Sequence, residues 1–201
     1  MRLEELKMGE ASRTTGPGEV TQLLRQLDEG CGGATERLLP LLYQELHTRA
    51  QSLFKNQRAG HTLQPTALVH EAFIRLVGNT KLRWESRAHV LAVAATAMRE
   101  VLADHARRKR AAKRGGQWRR VTLSGIGSGT REYDPADIDE ALKELAELDE
   151  RQARIVELRF FGGLTEEEIA KVLRVSERTV RNNWNVARAW LRLHLSSGQP
   201  T

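Results

Sequence analysis

LTEEEIAKVLRVSERTVRNNWNVARAWLRLHL, residues 164–195, is the stretch that decides the fold. Thr165 and Glu168 have the spacing of a reciprocal cap, in which each side chain satisfies the other's free backbone N–H, so a short helix starts at Glu166. Ile169, Ala170 and Leu173 form its inner face. Arg174-Val175 makes a tight turn, with Val175 plugging the angle between helices, and Ser176 is a good N-cap for the next one. There Val180, Trp184, Ala187 and Leu191 recur at steps of four, three and four, which predicts a buried stripe. The pattern is a helix-turn-helix.

Arg178, Arg181, Asn182 and Asn185 fall on a face away from that stripe. Arginine forks onto guanine and asparagine onto adenine, and the second helix of this motif inserts its N-terminal residues into the major groove. Residues 176–189 are therefore the expected DNA contact, through Ser176, Arg178, Thr179, Arg181, Asn182, Asn185 and Arg188. Arg188 and Arg192, further along, suit phosphates or solvent better than bases. A plain helical hairpin with a charged outer face is the competing reading.

Upstream, Ile138, Leu142, Leu145 and Leu148 begin a helical lobe that continues through Ile155, Leu158 and Phe161 to a stop at Gly162-Gly163. Before it, residues 115–137 carry Gly115, Gly116, Ser124, Gly125, Gly127, Ser128, Gly129 and Pro135, the composition of a flexible linker, although Val121-Thr122-Leu123 has the residues for a brief strand. Four more helices are expected before the linker. The first carries Val20, Leu23, Leu24 and Leu27 and stops at Gly30-Cys31-Gly32-Gly33. The second runs from about Ala34 to Phe54 with Leu38, Leu42, Leu46, Ala50 and Leu53 on one face, and Pro40 near enough its start to be tolerated. The third opens at Pro65-Thr66, carries Val69, Ala72, Phe73, Leu76 and Val77, and closes at Gly78-Asn79. The fourth spans about Ser86 to Arg110 with Val90, Val93, Ala94, Ala97, Val101 and His105 in helical step. The fold class is all-α: two small helical domains joined by a flexible linker, the C-terminal one a helix-turn-helix. The expected boundaries are a disordered leader over 1–18, a first domain over 19–114, the linker over 115–137, a second domain over 138–195 and a tail over 196–201.

Charge is arranged in blocks. Arg99 to Arg120 carry nine Lys/Arg against Glu100 and Asp104, a local +7; Glu132 to Glu150 carry nine acids against Lys143, a local −8; Arg151 to His194 return to +4. The first block points to a polyanion partner. The second is a candidate to shield it when the chain is alone. Part of the basic clustering also suits the negative end of a helix dipole.

Several chemistries lack their residues. His70-Glu71 begins a zinc-protease pattern, but Ile74 stands where the second His belongs. His47, His61, His89, His105 and His194 show no paired ligand spacing, and no glycine pair is followed by the Lys-Ser/Thr of a phosphate loop. Cys31, the lone cysteine, excludes a disulfide framework. Trp84 is read as a core anchor or a stacking platform for unpaired DNA. No cofactor or metal is expected, and no catalysis. Without an apolar leader or a run of about 20 apolar residues, a cytoplasmic protein is predicted.

DERQARIVELRFFGGLTEEEIA followed by VSERTVRNNWNVAR resembles the fourth domain of sigma-70 family factors, and the motif alone is also similar to LuxR-type output domains. LQPTALVHEAFIRLV (63–77) looks like the core-binding helix of a sigma factor's second domain, and WESRAHVLAVAATAMREVLADHARRKRAAKR (84–114) like the helix that opens the −10 element. The order of the two domains resembles the extracytoplasmic-function (ECF) group of sigma-70 factors. This resemblance implies a DNA-binding subunit of RNA polymerase that reads the −10 element with its first domain and the −35 element with its second. It implies polymerase contacts on clamp and flap, promoter DNA as ligand, an anti-sigma factor as a further candidate partner, no membrane, and a monomer when free.

By the same resemblance Ala67, His70, Glu71, Phe73 and Arg75 belong to the core-binding helix; Glu71 matches the family's pattern, while His70 replaces the usual Gln and Ala67 the usual acid. On the −10 side the counterparts are Thr96, Arg99, Asp104, Arg107, Arg108 and Arg110, with Thr96 near the position that helps capture a flipped base. Residues around Glu132 to Asp139 correspond to a segment that threads into the polymerase cleft, or else form a solvated spacer. Two other classes compete. A LuxR-like regulator would bind operators without polymerase and carry a ligand or receiver domain upstream, whose α/β pattern the first lobe lacks. A helical nuclease using Glu71 and Asp104 with a metal would need supporting ligands that the sequence does not supply.

Overall fold

The computed structural model describes residues 17–29, 33–54, 63–77, 85–112, 121–122 and 132–197. The leader up to residue 16, Cys31, Gly60 and His61, Gly78-Asn79, Trp84, the linker's Gly and Ser residues and the tail from 198 lie outside them, as do the side chains of Leu27 and Val77.

The described residues are mainly helical, in the order α1 (Pro17–Asp28), α2 (Ala34–Leu53), α3 (Pro65–Val77), α4 (Arg87–Ala112), α5 (Pro135–Leu148), α6 (Glu150–Phe160), α7 (Glu166–Leu173) and α8 (Glu177–Ser197). A two-residue ladder joins β1 (Val121–Thr122) to β2 (Glu132–Tyr133), antiparallel, with Val121 opposite Tyr133 and Thr122 opposite Glu132. The brief strand expected at Val121-Thr122 is present.

Local chemistry explains most boundaries. Asp134, extended at φ −69°, accepts the Ala136 N–H at 2.8 Å and places Pro135 at the first helical position, where its missing N–H costs nothing. The apolar run from Ile138 to Phe161 is two helices rather than one. Asp149, at φ −157°, ends α5 and caps α6 by accepting the Gln152 N–H at 3.1 Å. The helix of the second lobe thus begins three residues before Ile138, and residues 135–139, read as part of a threading segment, lie in its first turns.

α1 to α4 bury Leu23, Leu24, Leu38, Leu46, Leu53, Leu68, Val69, Val90, Met98 and Val101; α5 to α8 bury Ile138, Leu145, Ile155, Leu158, Ile169, Val180 and Trp184. These belong to one continuous apolar cluster. α4 is the shared wall. It packs on α1 and α3 on one side and on α5, α6 and α7 on the other.

Glycines 162 and 163 do more than stop a helix. A Cβ on Gly162 would lie 2.6 Å from the Leu158 carbonyl oxygen and 3.3 Å from Ala95 Cβ on α4, so the turn can approach the first lobe only without a side chain. Gly163, at φ +68°, lies under Arg49 of α2, whose Cδ would be 2.9 Å from an added Cβ. Arg49 donates through Nε to the Phe161 carbonyl at 3.2 Å and through Nη2 to the Arg159 carbonyl at 3.4 Å, capping α6 from the other lobe. Burial pulls its pKa down to about 10.

Candidate nucleic-acid interface

The motif forms as its sequence requires. Thr165 Oγ1 accepts the Glu168 N–H at 3.2 Å while Glu168 Oε2 accepts the Thr165 N–H at 2.9 Å. Arg174 makes the turn in the left-handed region at φ 55°. Ser176 Oγ caps α8 by accepting the Thr179 N–H at 3.1 Å. Val180, Trp184, Ala187 and Leu191 are buried as predicted. Ser176, Arg178, Arg181, Asn182 and Asn185 are exposed on the opposite face, with Thr179 and Arg188 half-buried. Glu166, at the first position of α7, accepts Arg159 at 3.0 Å and Arg181 at 2.9 Å. The hydrogen bond from Arg159 and then that from Arg181 hold its carboxyl below the usual range. Arg159 in turn lies 4.5 Å over the Trp184 ring. The sequence shows Glu166 in an acidic first turn, but not its pairing with Arg181, 15 residues further on.

On α3, Leu68, Val69, Ala72 and Leu76 face inward, leaving His70, Glu71 and Ile74 outside, in helical step with Ala67, which is half-buried against the core. Phe73 meets Tyr43 of α2 edge-on with centroids 6.4 Å apart, and His70 meets the same ring at 6.3 Å. Ile74 is 64% exposed, an apolar side chain in water on the helix matched to polymerase binding. In the sequence its only mark is that it stands where a second zinc-ligating His would have to be. Arg75 turns away from this stripe toward α4, where it pairs with Glu100 at 3.0 Å and Asp104 at 3.1 Å.

Of the α4 residues matched to the −10 element, all but Arg108 have side-chain partners in the folded chain. Thr96 Oγ1 accepts Arg154 Nη1 of α6 at 2.7 Å and lines a cleft of about 350 Å³ between the lobes. Arg99 Nε donates to Glu157 Oε1 at 2.7 Å, and its Nη1 donates to Asp139. Arg107 joins Asp139 and, at 3.4 Å, Asp104. Arg110 holds Asp134 at 2.9 Å and Asp137 at 2.5 Å. Arg108 is exposed. Asp139 and Glu157 are the buried charged residues of the described chain. Burial alone would raise the Asp139 carboxyl, but hydrogen bonds from Lys143 and Arg107 and the Arg99 charge outweigh it and hold it below the usual range. Burial likewise opposes the Arg99 charge, and Glu157 and Asp139 reverse the balance. His105 is pushed down by burial and by Lys109 and Arg108.

Among the described residues no His, Cys, Asp and Glu side chains gather into a metal cluster, and no helix is long and apolar enough to cross a membrane.

A capped helix-turn-helix with an Arg- and Asn-bearing outer face, preceded by a four-helix lobe with a basic fourth helix, defines a helical DNA-binding protein of transcription. The sequence model described as ECF sigma factor matches residues 17–197, both lobes and the segment between them, and the chain belongs to that family. It is a sigma factor: it binds core RNA polymerase and promoter DNA and directs transcription initiation. The match through the first lobe leaves no support for a LuxR-like regulator. No curated protein matches the chain.

Proposed function

We propose that the chain holds polymerase with α3 and reads a promoter at two places, with α4 and with α8. The outer stripe of α3, Ala67, His70, Glu71 and Ile74 with Phe73 and Arg75 at its edges, docks on the polymerase clamp; the second lobe engages the flap. α4 meets the −10 element: Arg99, Arg107, Arg108 and Arg110 supply charge for phosphates, Asp104 orients Arg75 and Arg107, and a base leaves the stack beside Thr96 at a cost of a few kcal/mol. α8 reads the −35 element through Arg181, Asn182 and Asn185, with Ser176, Arg178, Thr179 and Arg188 fixing its register on the backbone.

Residues 19–114 and 138–195 act as two modules tethered by 115–137, so the second contact forms at a high effective concentration and neither needs to be tight alone. Polymerase supplies the chemistry; the chain is cytoplasmic, monomeric when free and not an enzyme. An anti-sigma factor is a further partner of the family's kind.

The observation that carries the reading is the exposed Arg178, Arg181, Asn182 and Asn185 face on a helix capped by Ser176, in a chain matched to sigma factors along both lobes. The test is reconstitution with core polymerase of the chain's own host on genomic fragments. Run-off transcripts that appear only when both components are present support it. No association with that core enzyme would overturn it.

A further inference from the structure

The bend between α7 and α8 is closed by backbone bonds that prescribe its conformation. Val175 N–H donates to the Ala170 carbonyl at 3.0 Å and Arg174 N–H to that of Lys171 at 3.4 Å, the pair of bonds with which many helices end. Both form only when the residue at the bend is left-handed, as Arg174 is at φ 55° and ψ 46°. Glycine suits such a place, because a Cβ there crowds the following carbonyl oxygen. At the other positive-φ positions among the described residues, 33 and 163, glycine stands. Arg174 alone holds this conformation with a long side chain, and the turn is less stable for it.

Nothing in the folded chain makes use of that side chain. It is exposed, and among the described residues no carboxylate pairs with it. The nearby cations of the motif are engaged: Lys171 with Glu167 at 2.5 Å, Arg159 and Arg181 with Glu166 at 3.0 and 2.9 Å. Arg174 also stands two residues before Ser176, the cap of α8. The groove that a recognition helix enters is walled by phosphates, and a cation at the mouth of the helix meets the wall rather than the base edges. Backbone strain at an exposed residue with no internal role marks a contact made outside the fold.

We propose that Arg174 is a further DNA-contact residue, which binds a backbone phosphate beside the −35 element from a strained turn. The contact carries no sequence information; it fixes the register in which Arg181, Asn182 and Asn185 meet the bases. The inference rests on the assignment of α8 to the −35 element.

Two full-length variants separate the charge from the turn. Arg174→Gly relieves the backbone and removes the cation; Arg174→Lys keeps both the strain and a positive charge. Thermal melts of the free chain should rise by about 2–4 °C for Arg174→Gly, the scale of one relieved left-handed residue in a chain of this size, and stay level for Arg174→Lys. Each variant is then reconstituted with core polymerase and titrated against labelled promoter duplex. Arg174→Gly should bind about five-fold more weakly at 50 mM salt and approach wild type at 200 mM, because one counterion-releasing contact is gone. The loss should be equal on a duplex with a scrambled −35 element, and Arg174→Lys should recover most of it. A lower melting temperature for Arg174→Gly would remove the strain on which the inference stands. Unchanged DNA affinity, or a loss confined to the specific sequence, would overturn the phosphate contact. So would weaker binding of Arg174→Gly to core polymerase without DNA, by giving the side chain to the polymerase instead. Run-off transcription by the unmodified chain tests the assignment of function separately: its failure would remove the −35 reading itself, whereas success with an indifferent Arg174→Gly would remove this contact alone.

Discussion

Arg181 Nη2 stands 2.9 Å from Glu166 Oε2, so the arginine proposed to read a base is held by the first residue of the preceding helix. The same carboxylate takes Arg159, which is itself seated over Trp184. A floppy arginine would be held ready by this chain of contacts before DNA arrives.

Arg181→Ala is expected to cost holoenzyme about 1–3 kcal/mol on its own promoter and to relax preference at one −35 base pair. Glu166→Gln should weaken discrimination between bases more than it weakens binding to scrambled DNA. Competition binding with single-base promoter variants measures both. Equal loss on specific and scrambled sequences would remove Glu166 from readout.

Ile74 offers a cleaner test of the polymerase contact than Glu71 does, because it is apolar and largely exposed. Ile74→Glu should leave stability within about 0.5 kcal/mol. Association with core polymerase should fall by about 1–2 kcal/mol, as for an apolar anchor lost from an interface. Urea melts and a fluorescence titration with core enzyme read the two quantities side by side.

The Asp139 carboxyl is held low in the folded chain, so its contribution to stability is present above the ordinary unfolded value near pH 4 and lost as pH falls through the folded value. The groups around it are Arg99 and Arg107 from α4 and Lys143 from α5, with Glu157 of α6 sharing Arg99. The stability gap between wild type and Asp139→Asn should therefore be widest near neutrality and close in acid. Urea unfolding followed by tryptophan fluorescence at several pH values checks it; a constant gap would deny the carboxylate this role.

Gly162→Ala forces a Cβ to within 2.6 Å of a backbone oxygen that cannot yield cheaply. The expected loss is about 1–3 kcal/mol in denaturant unfolding. It should be accompanied by a loosened turn between α6 and α7.

How much of this was legible in the sequence depends on the distance over which each feature acts. The capping box at Thr165 and Glu168, the turn at Arg174 and the stripe through Val180 and Trp184 are set by neighbours within a few residues, and all are present. Asp149 between α5 and α6 is a cap by residue type, but Leu148 prolongs the apolar pattern across it although it is 69% exposed. The charge blocks gave sign and place without partners. Arg99 finds Glu157 across 58 residues and Asp139 across 40, separations at which no spacing rule operates. An arginine destined for phosphate also looks like one destined for carboxylate, because both want the same planar fork. For that reason the sequence leaves Arg107 and Arg110 open to DNA, while in the folded chain aspartates hold them.

The hand that Arg49 lays on the last carbonyls of α6 has a practical corollary for anyone exchanging parts between such factors. Its backbone acceptors accept any donor, so sequence identity in the tail module would not reveal the dependence. A tail grafted onto a head lacking an arginine at that place, or a head joined to a tail without glycine opposite it, should denature in two steps, where the parent chain denatures in one.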